Sequence, residues 1–249
     1  MACRPGNWRA LEGTAKVLHI RGVASSIANP PGAGGLPRKR SMTQPHSTGL
    51  TQDLVDAFVD VAHHDPPAAS KMLRLNRDLA AADSSWGETA LQAASHLGHR
   101  HLLGQLVSAG IEVDLFAACA MGDWRAARRL LSKDELDSYG VHDLPILHFG
   151  VVSRDVAIVE NLLDAGVVLN PGTGSLSPLH AAVAFGSEAM IQVLLLAGAD
   201  RSATDAFGAT AVDWAYELND RRSIRLLSGT WPPPLPLRRD RPIEPPRTS

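Results

Sequence analysis

The chain has 249 residues, 45% of them hydrophobic but only 5% aromatic, with two cysteines and a formal net charge of −2. That length suits one or two domains, an alanine- and leucine-rich, aromatic-poor composition favours stacked helices over a β-sandwich, and two cysteines exclude a disulfide framework. The longest apolar run, residues 189–199, is interrupted by Gln192 and falls short of the ~18 residues a membrane span needs, so a cytoplasmic protein with no membrane partner is expected.

The near-neutral total divides along the chain. Residues 1–49 hold seven basic and one acidic side chains, residues 50–230 hold 13 and 23, and residues 231–249 hold four and two. Twelve of the 17 prolines lie outside the middle segment. Proline-rich ends neither continue helices nor bury much apolar surface, so they are expected to be flexible arms around one folded body. The first arm lacks the apolar core of a secretory signal, because Lys16, His19 and Arg21 interrupt its only candidate. Its Arg38-Lys39-Arg40 triplet reads as a solvated run, with a nuclear address or an anion patch as the alternatives, and the arm's acid-poor, arginine-bearing composition resembles an organellar transit peptide. A start at Met42, with residues 1–41 upstream of the protein proper, is the preferred reading.

Within the body, residues 53–64 and 66–75 read as a first helix pair, with Met72-Leu73 on its second helix. The second unit opens with Thr89-Ala90-Leu91-Gln92-Ala93-Ala94 and runs through Gly98-His99 and Leu106-Val107 to Gly110. The third begins at Leu115, after only residues 111–114, with Asp114 placed to cap its helix and Cys119 in the position of a small packed residue. The fourth, Leu144-Pro145-Ile146-Leu147-His148-Phe149-Gly150, keeps a histidine but has Arg154 where a turn glycine is expected. Ser177-Pro178-Leu179-His180-Ala181-Ala182 opens the fifth, which continues to Val193-Leu194-Leu195 and Gly198. The sixth, from Gly208, ends in Ile224 and Leu226-Leu227 with Arg221, Arg222 and Arg225 on its outer helix. The tail Trp231-Pro-Pro-Pro-Leu-Pro has the spacing of a polyproline ligand, though a solvated tail is the simpler reading.

Leu91, Leu115, Leu147, Leu179 and Val212 mark a repeat with spacings of 24, 32, 32 and 33 residues. The period and the Ser177–Ala182 motif resemble the ankyrin repeat. The resemblance implies an all-α ankyrin-repeat solenoid of about six helix–turn–helix units over residues 50–230, with short hairpin loops. The short first unit and the closing unit look like those of small stand-alone bacterial ankyrin-repeat proteins. Neither helix of such a unit buries its apolar face alone, so stacking supplies the stability. The 24-residue spacing departs from the pattern: the third unit should lack its hairpin and leave a notch near residues 111–115.

The sequence contains no glycine-rich phosphate loop, GxSxG elbow or HExxH motif, so neither enzymatic activity nor a cofactor is expected. The run His96-Leu97-Gly98-His99-Arg100-His101 contains imidazoles suited to a metal, but a turn at Gly98 should send them in different directions, and no metal site is expected. His63 and His64, at a helix end, are expected to be solvated. The resemblance implies that His148 and His180 tie their own turns by hydrogen bonds. It also implies a non-catalytic module that binds a partner protein along the concave face, through hairpin tips and the ends of the first helices. On this register the contact residues are Trp86, Glu88, His96, Leu97, Met121, His142, Phe185 and Phe207, with packing between first helices as the competing role for the apolar ones. A body this acidic disfavours nucleic acid and favours a partner with a basic face. A small ligand or substrate held in the notch is the alternative.

Overall fold

The computed structural model of the chain describes residues 49–172, 176–185 and 187–229. The two arms and the proline motif lie outside the described residues. Six helix pairs follow one another: α1 (Gln52–His64) with α2 (Pro66–Leu75), α3 (Ala90–His96) with α4 (Arg100–Ser108), α5 (Leu115–Met121) with α6 (Trp124–Leu130), α7 (Ile146–Val152) with α8 (Val156–Asp164), α9 (Pro178–Ala184) with α10 (Glu188–Leu196), and α11 (Ala211–Glu217) with α12 (Arg221–Leu227). The six expected units are these six pairs. None of the described helices is long and apolar enough to cross a membrane.

Short polar side chains start the helices. Thr89 and Gln92 form a reciprocal capping box at α3, and Thr210 and Asp213 do so at α11. Asp114 accepts from the Ala117 amide at 2.7 Å, the cap expected from its place before Leu115. The first helices pack on one another in chain order, α1 on α3 and so on to α11. Small buried residues, among them Ala93, Ala94, Ala117, Ala118, Ala181 and Ala182, allow that close approach. The second helices close the core with Leu102, Leu103 and Leu106, Ile158 and Leu162, and Ile191 and Leu194. The marker leucines Leu91, Leu115, Leu147 and Leu179 are all buried.

Isolated bridges Asp83 to Thr89, Tyr139 to Pro145 and Thr204 to Thr210 close hairpins before α3, α7 and α11. Before α5 the chain instead passes directly from Gly110 to the Asp114 cap. The third unit is reduced on its outer side as well: α6 leans mainly on α5 and buries only Ala126 and Ala127. Units two and four consequently meet across it, with α3 in direct contact with α7. Gly98, at φ 68°, marks the closest approach, since a Cβ there would lie 2.4 Å from the Val152 carbonyl oxygen. Arg154 takes the left-handed turn that glycine makes elsewhere, at φ 60°, and its guanidinium lies 5.9 Å from the Phe185 ring centre.

Candidate functional site

Closure of units two and four across the reduced third unit assembles a cluster of titratable side chains. His63 comes from the last turn of α1, Glu88 from the hairpin tip before α3, His96 from the end of α3, and His142 from the hairpin tip of unit four. One potential ligand atom from each lies within 4.8 Å of the others. Glu88 Oε1 is the hub: it is 3.2 Å from His63 Nε2, 3.3 Å from His142 Nε2 and 3.6 Å from His96 Nδ1. Its second oxygen, Oε2, accepts from the Trp86 indole N–H at 3.2 Å. The site is enclosed, with side chains of Glu88 and His96 5% exposed and that of His142 12%.

Local structure aims each group. His63 Nδ1 is 2.8 Å from the Val59 carbonyl one turn earlier, so that nitrogen donates and Nε2 faces Glu88. Ser84 accepts from the Glu88 amide and donates to the Glu88 carbonyl, closing the tip of unit two. The hairpin of unit four is held by Gly140, whose Cα has the Phe149 ring where a Cβ would sit, 2.6 Å from Cζ. Phe149 in turn packs on Phe116 with ring centres 4.9 Å apart. Aligned by their closing bridges, Asp143 occupies the position of Gly87 and Gly208, and His142 that of Trp86 and Phe207. Both His142 and Asp143 are left-handed, at φ 60° and 54°, a conformation that costs a non-glycine residue about 1–3 kcal/mol. The turn therefore carries strain while directing an imidazole into the cluster.

The electrostatics are those of a single ion pair among too many bases. Burial opposes a charge on Glu88, but the close approach of the His142 and His63 nitrogens and the charges of His63 and His96 outweigh it and hold its carboxyl far below the ordinary range. Burial also opposes a charge on His63, yet the Glu88 carboxylate prevails and raises its pKa. His96 is pushed the other way, well below the usual histidine value, by burial and by the charges of His63 and His142. His142 Nε2 sits within ion-pair distance of Glu88 but outside hydrogen-bonding geometry, leaving it buried without a hydrogen-bond partner.

The residues expected at a partner surface divide. Trp86 and Phe207 are exposed at 50% and 56%, while Leu97 and Met121 are half-buried. Glu88 and His96 are buried in the cluster with His142 nearly so, because the hairpin of unit four folds over them. Phe185 is buried at 6%, packed near His148 and Arg154. His63 is not solvated as expected, since it faces Glu88; His64 is, with its side chain 66% exposed. The imidazoles of the run 96–101 diverge as expected: His99 bonds the His63 carbonyl, and exposed His101 meets Gln105. His96 alone joins the cluster. The sequence places Glu88, His96 and His142 at a contact surface and His63 in solvent, and its one signal that they meet is the missing hairpin, which removes the spacer between two tips.

The fold defines a helical-repeat solenoid in which each pair stacks on the next. Residues 176–206 match the ankyrin repeat model, and the chain is an ankyrin-repeat protein. It is similar to Zygote-specific protein 3 of Chlamydomonas reinhardtii, at 42% identity over 59 residues that cover 24% of this chain and 16% of that protein. It is also similar to Interferon antagonist OPG040 of Vaccinia virus (strain Western Reserve), at 30% identity over 97 residues, 39% of this chain and 34% of that protein. The chain thus spans less than two thirds of the length of either curated relative.

Proposed function

We propose that the chain is a non-catalytic adaptor that binds a partner protein through its projecting tips and the concave side of the stack. The observation that carries this reading is aromatic bulk left in solvent where the hairpins project: Trp86 in unit two and Phe207 in unit six, with Tyr216 on α11 at 61% exposure. Large aromatic side chains are enriched at the centres of protein interfaces. The acidic excess of residues 50–230, 23 acidic against 13 basic side chains, suits a partner with a basic face. Half-buried Leu97 and Met121 extend the surface, whereas Phe185 serves packing.

The test is capture of partners from the native organism, followed by affinity measurement with variants. Trp86→Ala and Phe207→Ala should each weaken binding by about 1–4 kcal/mol, with Phe207→Ala, which is remote from the Glu88 cluster, leaving the thermal melt nearly unchanged. Undiminished affinity in both variants would place the interface elsewhere. The alternative of a ligand in the notch is favoured by one observation, the buried histidine–glutamate cluster.

A further inference from the structure

We propose that His63, Glu88, His96 and His142 bind a divalent transition metal of the zinc class, and that the ion pins the hairpin of unit four onto units one and two. The donor set comes first. Three imidazoles and one carboxylate are nitrogen and oxygen ligands of the type zinc takes, and imidazole suits zinc, copper and nickel better than magnesium or calcium. Spacing comes second. Ligands at zinc bond lengths in a tetrahedron stand about 3.3 Å apart; the three nitrogens stand 3.2, 3.3 and 3.6 Å from Glu88 Oε1. The site is thus close to a tetrahedral edge around its hub, and the widest separation of 4.8 Å has only to contract.

The outer contacts point the same way. A ligating histidine commonly donates its other ring N–H to a carbonyl, and a ligating carboxylate is itself hydrogen-bonded. His63 Nδ1 faces the Val59 carbonyl and leaves Nε2 for the ion; Glu88 Oε2 is held by Trp86, leaving Oε1. His142 Nε2 is an independent pointer: a buried nitrogen without a hydrogen-bond partner, 3.3 Å from the same oxygen. One carboxylate neutralises one imidazolium and leaves the other two imidazoles to compete for the same oxygen. A dication engages all four lone pairs at once. His96 gives up the 3.0 Å contact of Nδ1 with the Gln92 carbonyl, and the four ligand atoms draw together.

Four protein ligands close the coordination shell, so the ion is structural. It joins segments far apart in sequence, and its binding energy is spent on the folded arrangement. The test uses the full chain, stripped with a chelator and titrated with Zn²⁺ by calorimetry and thermal melting, with Mg²⁺ in parallel. One equivalent of Zn²⁺ should bind and raise the melting temperature, Mg²⁺ should do neither, and Co²⁺ should give the visible absorption of a tetrahedral site. His142→Ala removes a loop-tip ligand outside the helices; it should weaken Zn²⁺ binding at least 100-fold and abolish the shift in melting temperature while helical circular dichroism is retained. Trp86→Phe, which loses only the donor to Glu88, should weaken binding about 10-fold. His101→Ala should change nothing. Absence of Zn²⁺ binding by the parent, or full binding by folded His142→Ala, would overturn the proposal.

Discussion

His148 and His180 hold the same place in their units and bond differently because of one residue. At α9, Ser177 Oγ is 2.7 Å from His180 Nδ1, and His180 Nε2 is 3.0 Å from the Ala209 carbonyl, so this histidine ties its own turn and the next unit. At α7 the preceding position is Pro145, which has no hydroxyl; His148 Nδ1 is left without a partner, and Nε2 reaches the His96 carbonyl at 2.9 Å. The expected self-tied turn therefore holds for His180 and not for His148. Burial pushes the His148 pKa down to about 4. Because the unfolded chain protonates near pH 6.5 and the folded state does not, this group costs stability as pH falls through 6.5 toward 4, about 2 kcal/mol between pH 7 and 5. His148→Gln should flatten urea-derived stability over that range by this amount; an unchanged slope would mean that His148 is not buried neutral. Burial likewise pushes the Cys119 thiol up to about 12. In a Cys3→Ser background, Cys119 should resist alkylation in buffer and react fully in urea. Phe185, placed by sequence at a binding surface, belongs to the core: Phe185→Ala should lower stability by about 3–5 kcal/mol, read in the same urea titration.

At the scale of elements, what the sequence made legible was local. The six pairs follow from apolar period and marker leucines, the α5 cap from Asp114, and the lost hairpin from the four residues between Gly110 and Leu115. What it left hidden was the consequence of that loss. No local pattern states that the tip of unit four leans toward unit two, or that the end of α1 faces Glu88, since these contacts span 25 to 54 residues and depend on the reduced α5–α6 pair. The left-handed His142 and Asp143 were equally illegible, because neither residue type announces that conformation as glycine does. Gly98 is where the closure is most easily broken. Gly98→Ala introduces a Cβ 2.4 Å from a carbonyl oxygen at a left-handed position, and should cost about 1–3 kcal/mol, with His142 displaced from Glu88. Leu179→Ala, away from the closure but at a buried marker position, should cost about 2–5 kcal/mol; parent-like stability in urea would undo the register.

Over the whole molecule, an open stack gains stability from each neighbour interface, and a weak unit in the middle divides it. The third unit is that weak point, with no hairpin and an outer helix α6 that buries only Ala126 and Ala127. Direct contact between units two and four bridges it, and the histidine–glutamate cluster lies where the bridge includes unit one. Closure of the unit-four hairpin is therefore what joins the two halves of the stack at the cluster. Nuclear Overhauser spectra of histidine-labelled protein, with ring signals assigned through single His→Gln variants, test that closure most directly. With ring centres 4.9 Å apart, His96 and His142 should give a cross-peak between their imidazole protons, and His96 should give a second one to His63 at 5.1 Å. A folded chain in which His96 and His63 are connected but His142 gives no cross-peak to either would show the hairpin standing away from the stack, and would contradict the account.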